Sequence, residues 1–133
     1  MSALYAIPVE NVAALWPHIE PLVRQALNHG DGKFGPEHVL AEILQGTQQL
    51  WIAGSPPQAA LVTEVVDYPL GRRCILAHLA GDEMNDWIGW LGRIEEWAVS
   101  EGCVAIEARG RPGWERELAP WGYEKTLVTV RKR

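Results

Sequence analysis

The chain has 133 residues, 47% of them hydrophobic and 22% charged, with a net charge of −5. That is the length and composition of one globular domain with its own core, spanning 1–133, and it excludes a disordered or low-complexity chain. The acidic balance excludes general binding to nucleic acid, which needs clustered Lys and Arg; the basic triplet Arg131-Lys132-Arg133 reads as a solvated tail.

Residues 4–8 read as a short first strand, closed by Pro8. No basic stretch followed by an apolar one opens the chain, and no apolar run approaches membrane-spanning length, so a cytoplasmic protein without membrane contact is expected. Residues 10–28 carry Val12, Leu15, Trp16, Ile19, Leu22, Val23 and Leu27 at three- and four-residue steps, the pattern of an amphipathic helix. Pro17 and Pro21 inside it predict a kink or two consecutive helices. Residues 28–33 form a loop by composition. Residues 36–45 are a second helix, with Pro36 suited to its first turn and Gly46 to its stop. The period then changes to that of strands over 49–53, 59–66 and 74–80, joined by turns at 54–57 and 67–71. Such a succession predicts antiparallel hairpins.

Residues 74–109 are the centre of the chain. The apolar runs 74–80 and 103–106 bracket a helical pattern over 85–100, which makes a βαβ unit. Its two strands, the second reaching Ala108, are expected to be parallel neighbours with a right-handed crossover. A ligand in such a unit is expected outside the carboxyl ends of the strands. Cys74 and Cys103 each open one of these strands; two cysteines make neither a disulfide framework nor a metal site, and reduced, packed thiols are expected. A short helix over 112–119 and a final strand over 123–131 complete the order β-α-α-β-β-β-α-β-α-β, an α/β (α+β) fold with a mixed sheet between helices.

This order resembles the GNAT fold of the acyl-CoA-dependent N-acetyltransferases. The residues carrying the resemblance are the helix ending Trp97-Ala98, then Glu101-Gly102-Cys103, the strand Val104-Ala105-Ile106, and Trp121-Gly122-Tyr123-Glu124. The family writes these as a helix ending in alanine, a glycine, a strand, and then lysine-leucine-glycine-phenylalanine-glutamate. The resemblance covers nearly the whole chain as topology and its second half as motif. Short, tryptophan-rich chains of this kind also resemble GNAT-like proteins encoded in bacteriophage genomes, which would place the protein in a host cytoplasm.

The resemblance implies a turn, Arg/Gln-x-x-Gly-x-Gly/Ala, whose backbone N–H groups hold the CoA pyrophosphate at a helix N-terminus. Placed by Ala98 and Gly102, that motif falls on residues 82–87. Asp82 takes the arginine position, and Glu83, Asn85 and Trp87 take the usual glycine positions. The corresponding cofactor contacts are Gly81, Asp82, Glu83 and Met84, a degenerate loop. Asp82, Glu83 and Asp86 set three carboxylates where a pyrophosphate would sit, and they repel it. The same residues suit a helix start, as caps and as partners of its dipole. Many family members use a tyrosine four residues before the glycine-phenylalanine pair as general acid; that position is Leu118, which has no proton to give.

Three residues are candidates for catalysis. His78, in an apolar strand, is a core histidine or a base facing the cleft between the fourth and fifth strands. Glu64 and Glu107, on flanking strands, face solvent or deprotonate an amine directly or through water. His18, His29 and His38 lack metal-ligand spacing, so no metal is expected. Arg109, Arg111 and Trp114 follow the fifth strand and are candidates for binding an anion or a planar ring; the alternative is a turn whose Trp114 covers the core. Trp87, Trp90 and Trp97 share one helix as a core or partner-facing stripe.

Two functions follow. One is a domain that has lost acetyl-CoA binding and acts as a binding or assembly module, with no cofactor and with a protein partner held through exposed tryptophans. The other is an N-acetyltransferase that holds acetyl-CoA by other residues. The first is preferred, because replacement is complete at the positions that the chemistry needs.

Overall fold

The computed structural model describes residues 3–28, 32–54, 56–81, 84–110 and 114–132, side chains of 84–88 excepted. Three strands, β2 (Gln48–Ala53), β3 (Ala59–Tyr68) and β4 (Gly71–Gly81), form antiparallel neighbours as expected. Their side chains alternate between faces, and both faces are apolar. Leu50, Ile52, Ala60 and Val62 point one way, and Trp51, Ala53, Leu61, Cys74 and Leu76 the other. A sheet of this kind needs cover on both sides. Helices α1 (Val9–Asn28) and α2 (Pro36–Leu44) bring Val12, Ile19, Val23, Val39 and Ile43 to the first face. Helices α3 (Met84–Ser100) and α4 (Trp114–Leu118) bring Leu91, Ile94, Ala98 and Leu118 to the second.

Two edge strands complete the sheet. β1 (Leu4–Ala6) pairs antiparallel with β2, and β5 (Cys103–Ala108) pairs parallel with β4, giving the order β1-β2-β3-β4-β5. The expected parallel neighbours are therefore found, with α3 as their crossover. Arg72 locks this seam to its surroundings. Its Nε donates to Asp67 Oδ1 at 2.6 Å across the β3–β4 hairpin, and its Nη1 donates to the Glu101 carbonyl at 2.8 Å just past α3. Cys74 and Cys103 are free thiols packed on the α3 face, Cys74 buried and Cys103 half-buried.

Two expectations need correction. Helix α1 is not divided: it runs unbroken over 20 residues with Pro17 and Pro21 inside. Both prolines are exposed and lie one helical turn apart on the solvent side, so the carbonyls of Ala13 and Pro17 that lose an intrahelical donor turn to water. The second correction concerns residues 123–131, expected as a final strand. Residues 123–132 form no ladder with any strand among the described residues. Strand propensity records fit to a pleated surface, and that surface must be supplied from elsewhere in the fold. Among the described residues the preceding helix spans Trp114–Leu118 and continues as a 3-10 turn over Ala119–Trp121; the first expected residues, 112 and 113, lie outside the described residues.

Among the described residues, one polar residue sits in the fully buried interior. Thr63 is 0% exposed; its hydroxyl accepts from Trp51 Nε1 at 3.0 Å and donates to Gln49 Oε1 at 2.9 Å. The Trp51 ring meets Trp97 edge-on at 5.2 Å and lies 5.5 Å from the Arg93 guanidinium, so β2, β3 and α3 converge on it. Thr63→Val keeps the shape and removes the hydroxyl, leaving the buried indole N–H without an acceptor. Denaturant unfolding of this variant is expected to show a loss of about 1–3 kcal/mol; an unchanged midpoint would show that the Trp51–Thr63 bond is dispensable.

Candidate functional site

Strands β4 and β5 pair from Arg72–Cys103 to Leu76–Ala108, and the last bond between them runs from the Arg109 N–H to the Leu76 carbonyl at 3.2 Å. β4 continues to Gly81, still paired with β3, while β5 has ended. The carboxyl ends of the two parallel strands therefore open a gap along residues 77–81, the place where α/β sheets hold ligands.

A β-bulge sits at the start of this gap. Val62 pairs with His78 and Thr63 with Leu76, so Ala77 is an extra residue in β4. Counting in twos from Cys74 and Leu76 would send His78 to the α3 face. The bulge resets the alternation: His78 shares the face of its partner Val62, under α1 and α2, and Leu79 packs on the α3 side. His78 is half-buried, with the Phe34 ring edge-on at 6.1 Å from the loop before α2. Burial pushes its imidazole below the ordinary value, so the ring is neutral at pH 7 and able to accept a proton.

Glu64 and Glu107 both pair with Ile75, one from each neighbouring strand, and so share a face with His78. The three catalytic candidates thus lie on one side of the sheet. Both carboxylates are engaged there: Gln48 Nε2 donates to Glu64 Oε1 at 3.3 Å, and Arg73 Nη1 lies 3.4 Å from Glu107 Oε2.

On the opposite face the gap is filled. Leu61, Leu76 and Leu79 from the sheet, Trp90 and Leu91 from α3, and Trp114 from α4 enclose about 10 Å³, the space of roughly one water. Trp114 lies against the backbone of Gly110, where a Cβ would come within 2.3 Å of its indole ring. Arg109 is exposed, and Arg111 lies outside the described residues. Trp114 packs against the α3-face core.

No family model matches the chain, and no curated protein matches it in sequence. Solved structures do match. A GCN5-related N-acetyltransferase from Ralstonia eutropha is 16% identical, with 100% of this chain and 99% of that one covered at a TM-score of 0.71. An acetyltransferase from Clostridium acetobutylicum, with acetyl-CoA, is 14% identical over 100% and 96% of the two chains, also at 0.71. An aminoglycoside N-acetyltransferase in complex with CoA is 13% identical over 100% and 94%, again at 0.71. The chain has the GNAT fold.

Within that fold, the phosphate-turn positions Asp82 and Glu83 lie outside the described residues, as do the side chains of Met84, Asn85, Asp86 and Trp87. Gly81 is packed tightly: a Cβ there would stand 2.9 Å from that of Ala59. Leu118 is 3% exposed in the α3-face core. A phenol that spacing did not single out, Tyr123, is half-buried nearby; its hydroxyl donates to Glu95 Oε2 at 3.4 Å, and burial together with the Glu95 charge raises its pKa. It is thus held protonated against a carboxylate. Among the described residues no group of three His, Cys, Asp or Glu can hold a metal ion, and no helix is long and apolar enough to cross a membrane. His38 has a structural task, its Nδ1 accepting from the Gly35 N–H at 2.9 Å where α2 begins. Of the tryptophans described, Trp51 is buried, Trp16, Trp90, Trp97 and Trp114 pack against the cores, and Trp121 is 55% exposed.

Two outcomes are expected. Because the folded pKa of His78 lies below the unfolded one, the unfolded chain binds more protons in between. The stability due to neutral His78 is full above about pH 6.5 and is lost as pH falls toward the folded pKa. His78→Gln should flatten this part of the stability–pH curve, and an unchanged curve would place the acid sensitivity elsewhere. Gly110→Ala should drive the Trp114 ring from its seat, at a cost of about 1–3 kcal/mol, read in tryptophan fluorescence and in the unfolding midpoint. Native fluorescence and stability in that variant would mean that Trp114 does not depend on this contact.

Proposed function

We propose that this protein is a GNAT-fold binding or assembly module that does not use acetyl-CoA. The observation that carries this reading is the apolar filling of the β4–β5 gap, in which Leu79, Trp90 and Trp114 leave about 10 Å³. Ligand pockets commonly measure about 300–1,000 Å³. Leu118 supports it as well: the position of the usual acid has become part of the hydrophobic core. Asp82, Glu83 and Asp86 add three carboxylates in the stretch that would receive a pyrophosphate.

A second reading, an acetyl-CoA-dependent N-acetyltransferase with a non-standard cofactor site, draws support from one observation. His78 stands neutral and half-buried beside the gap on the α1–α2 face, sharing that face with Glu64 and Glu107.

Acetyl-CoA at millimolar concentration separates the two. A ligand at one hundred times its Kd adds about 2.7 kcal/mol, several degrees in Tm for a domain of this size. No measurable shift is expected. A rise of several degrees would establish a cofactor site and favour the acetyltransferase.

A further inference from the structure

Two imidazoles stand on either side of the entry to α2, and one of them governs the cover of the other. Gly35 is the N-cap of that helix and Pro36 fills its first turn. The Gly35 N–H donates to His38 Nδ1 at 2.9 Å, so the neutral imidazole serves as acceptor here and carries its own proton on Nε2. Glu or Gln is the usual residue for this reach back to the cap. An imidazole differs from both, because a proton added at Nδ1 turns the acceptor into a donor.

A second partner for that donor lies alongside. The Glu37 carboxylate folds back over Gly35, where a Cβ would stand 2.6 Å from Oε1, and the same Oε1 lies 3.6 Å from His38 Nδ1. Neutral His38 binds the Gly35 N–H. Protonated His38 faces a donor that it repels and a carboxylate that attracts it. The bond at Gly35 also sets the position of its neighbour Phe34, whose ring meets His78 edge-on at 6.1 Å. Phe34 is 55% exposed, so burial does little to hold it, and its place over His78 rests on the backbone leading into α2.

We propose that His38 is a proton-operated latch: its protonation passes Nδ1 from the Gly35 N–H to the Glu37 carboxylate, releases the start of α2 and lifts Phe34 from His78. The second imidazole works in the same direction. Burial holds the covered His78 neutral, so an uncovered His78 takes up a proton more readily, and each protonation favours the other. The α1–α2 side of the β4–β5 gap thus opens as pH falls and closes as pH rises. The other charged groups near these rings have tasks of their own. Glu20 and Arg24 of α1 are bonded to each other at 2.7 Å, and Glu42 of α2 accepts from the Thr47 hydroxyl. Glu10 and His18 of α1 are exposed, and Lys33 precedes Phe34. Along the sheet, Glu64 and Glu107 are engaged by Gln48 and Arg73. The latch acts on the polar side of the gap and does not depend on whether acetyl-CoA binds.

Phe34 is the only phenylalanine in the chain, so para-fluorophenylalanine places a single fluorine reporter on the cover. Between pH 8 and pH 5, the range in which imidazoles titrate, its resonance is expected to move to that of an exposed ring, in step with the His38 ring protons. Over the same range the protection of the Gly35 amide, corrected for the intrinsic pH dependence of exchange, should fall about fivefold, as for the loss of one hydrogen bond. His38→Gln keeps an acceptor at every pH and should hold Phe34 in place throughout. His78→Gln should retain the step, because the latch lies in the cap. A fluorine resonance that stays put between pH 8 and pH 5 overturns the proposal, as does a step that survives in His38→Gln. A step that vanishes in His78→Gln overturns it as well, since Phe34 would then answer to the ring it covers. So does equal protection of the Gly35 amide at both pH values in the unmodified protein, a result that needs no variant to fold.

Discussion

Parallel pairing between β4 and β5 stops at Leu76 and Ala108, and much of the rest of the molecule is arranged around that stop. Parallel neighbours cannot be joined by a tight turn, so α3 must cross over one face to bring β5 into register. Arg72 ties the two ends of this path together through Asp67 and the Glu101 carbonyl. Beyond Leu76, β4 has only β3 beside it, and its unpaired side becomes one wall of a gap.

The two sides of that gap have different chemistry. On the α3 side Leu79, Trp90, Leu91 and Trp114 complete the core. On the other side, Ala77 shifts the register by one residue and brings His78 beneath Phe34, with Glu64 and Glu107 further along the same face. The polar side keeps ionisable groups at a partly covered surface, where burial holds His78 neutral. Both readings of function derive from this division: the filled side supports a module that needs no cofactor, and the polar side supports a residual chemical site.

Much of the fold was legible because it rests on local rules. The 3.6-residue pattern of α1, the hairpins through β4 and the helix between two short apolar runs follow from periodicity and turn chemistry. Of the two expectations raised by Pro17 and Pro21, a kink or two consecutive helices, the second is not met, because exposed prolines on the solvent face leave the helix unbroken. Thr63 looked like one more strand residue, and nothing local announces that its hydroxyl would meet the Trp51 indole from the neighbouring strand.

The sequence by itself determined the element order from β1 through α4, the parallel seam, the acidic balance and the chemical identity of each candidate side chain. Only the tertiary structure decided which way His78 points. Alternation is a two-residue rule, and one inserted residue, Ala77, reverses it through the pairing of β4 with β3. Only the tertiary structure, likewise, left residues 124–132 without a ladder, because a strand is completed by the backbone beside it and not by its own propensity. And it set the Trp114 ring against the Gly110 backbone, since that close approach is a fact of packing that spacing along the chain does not contain.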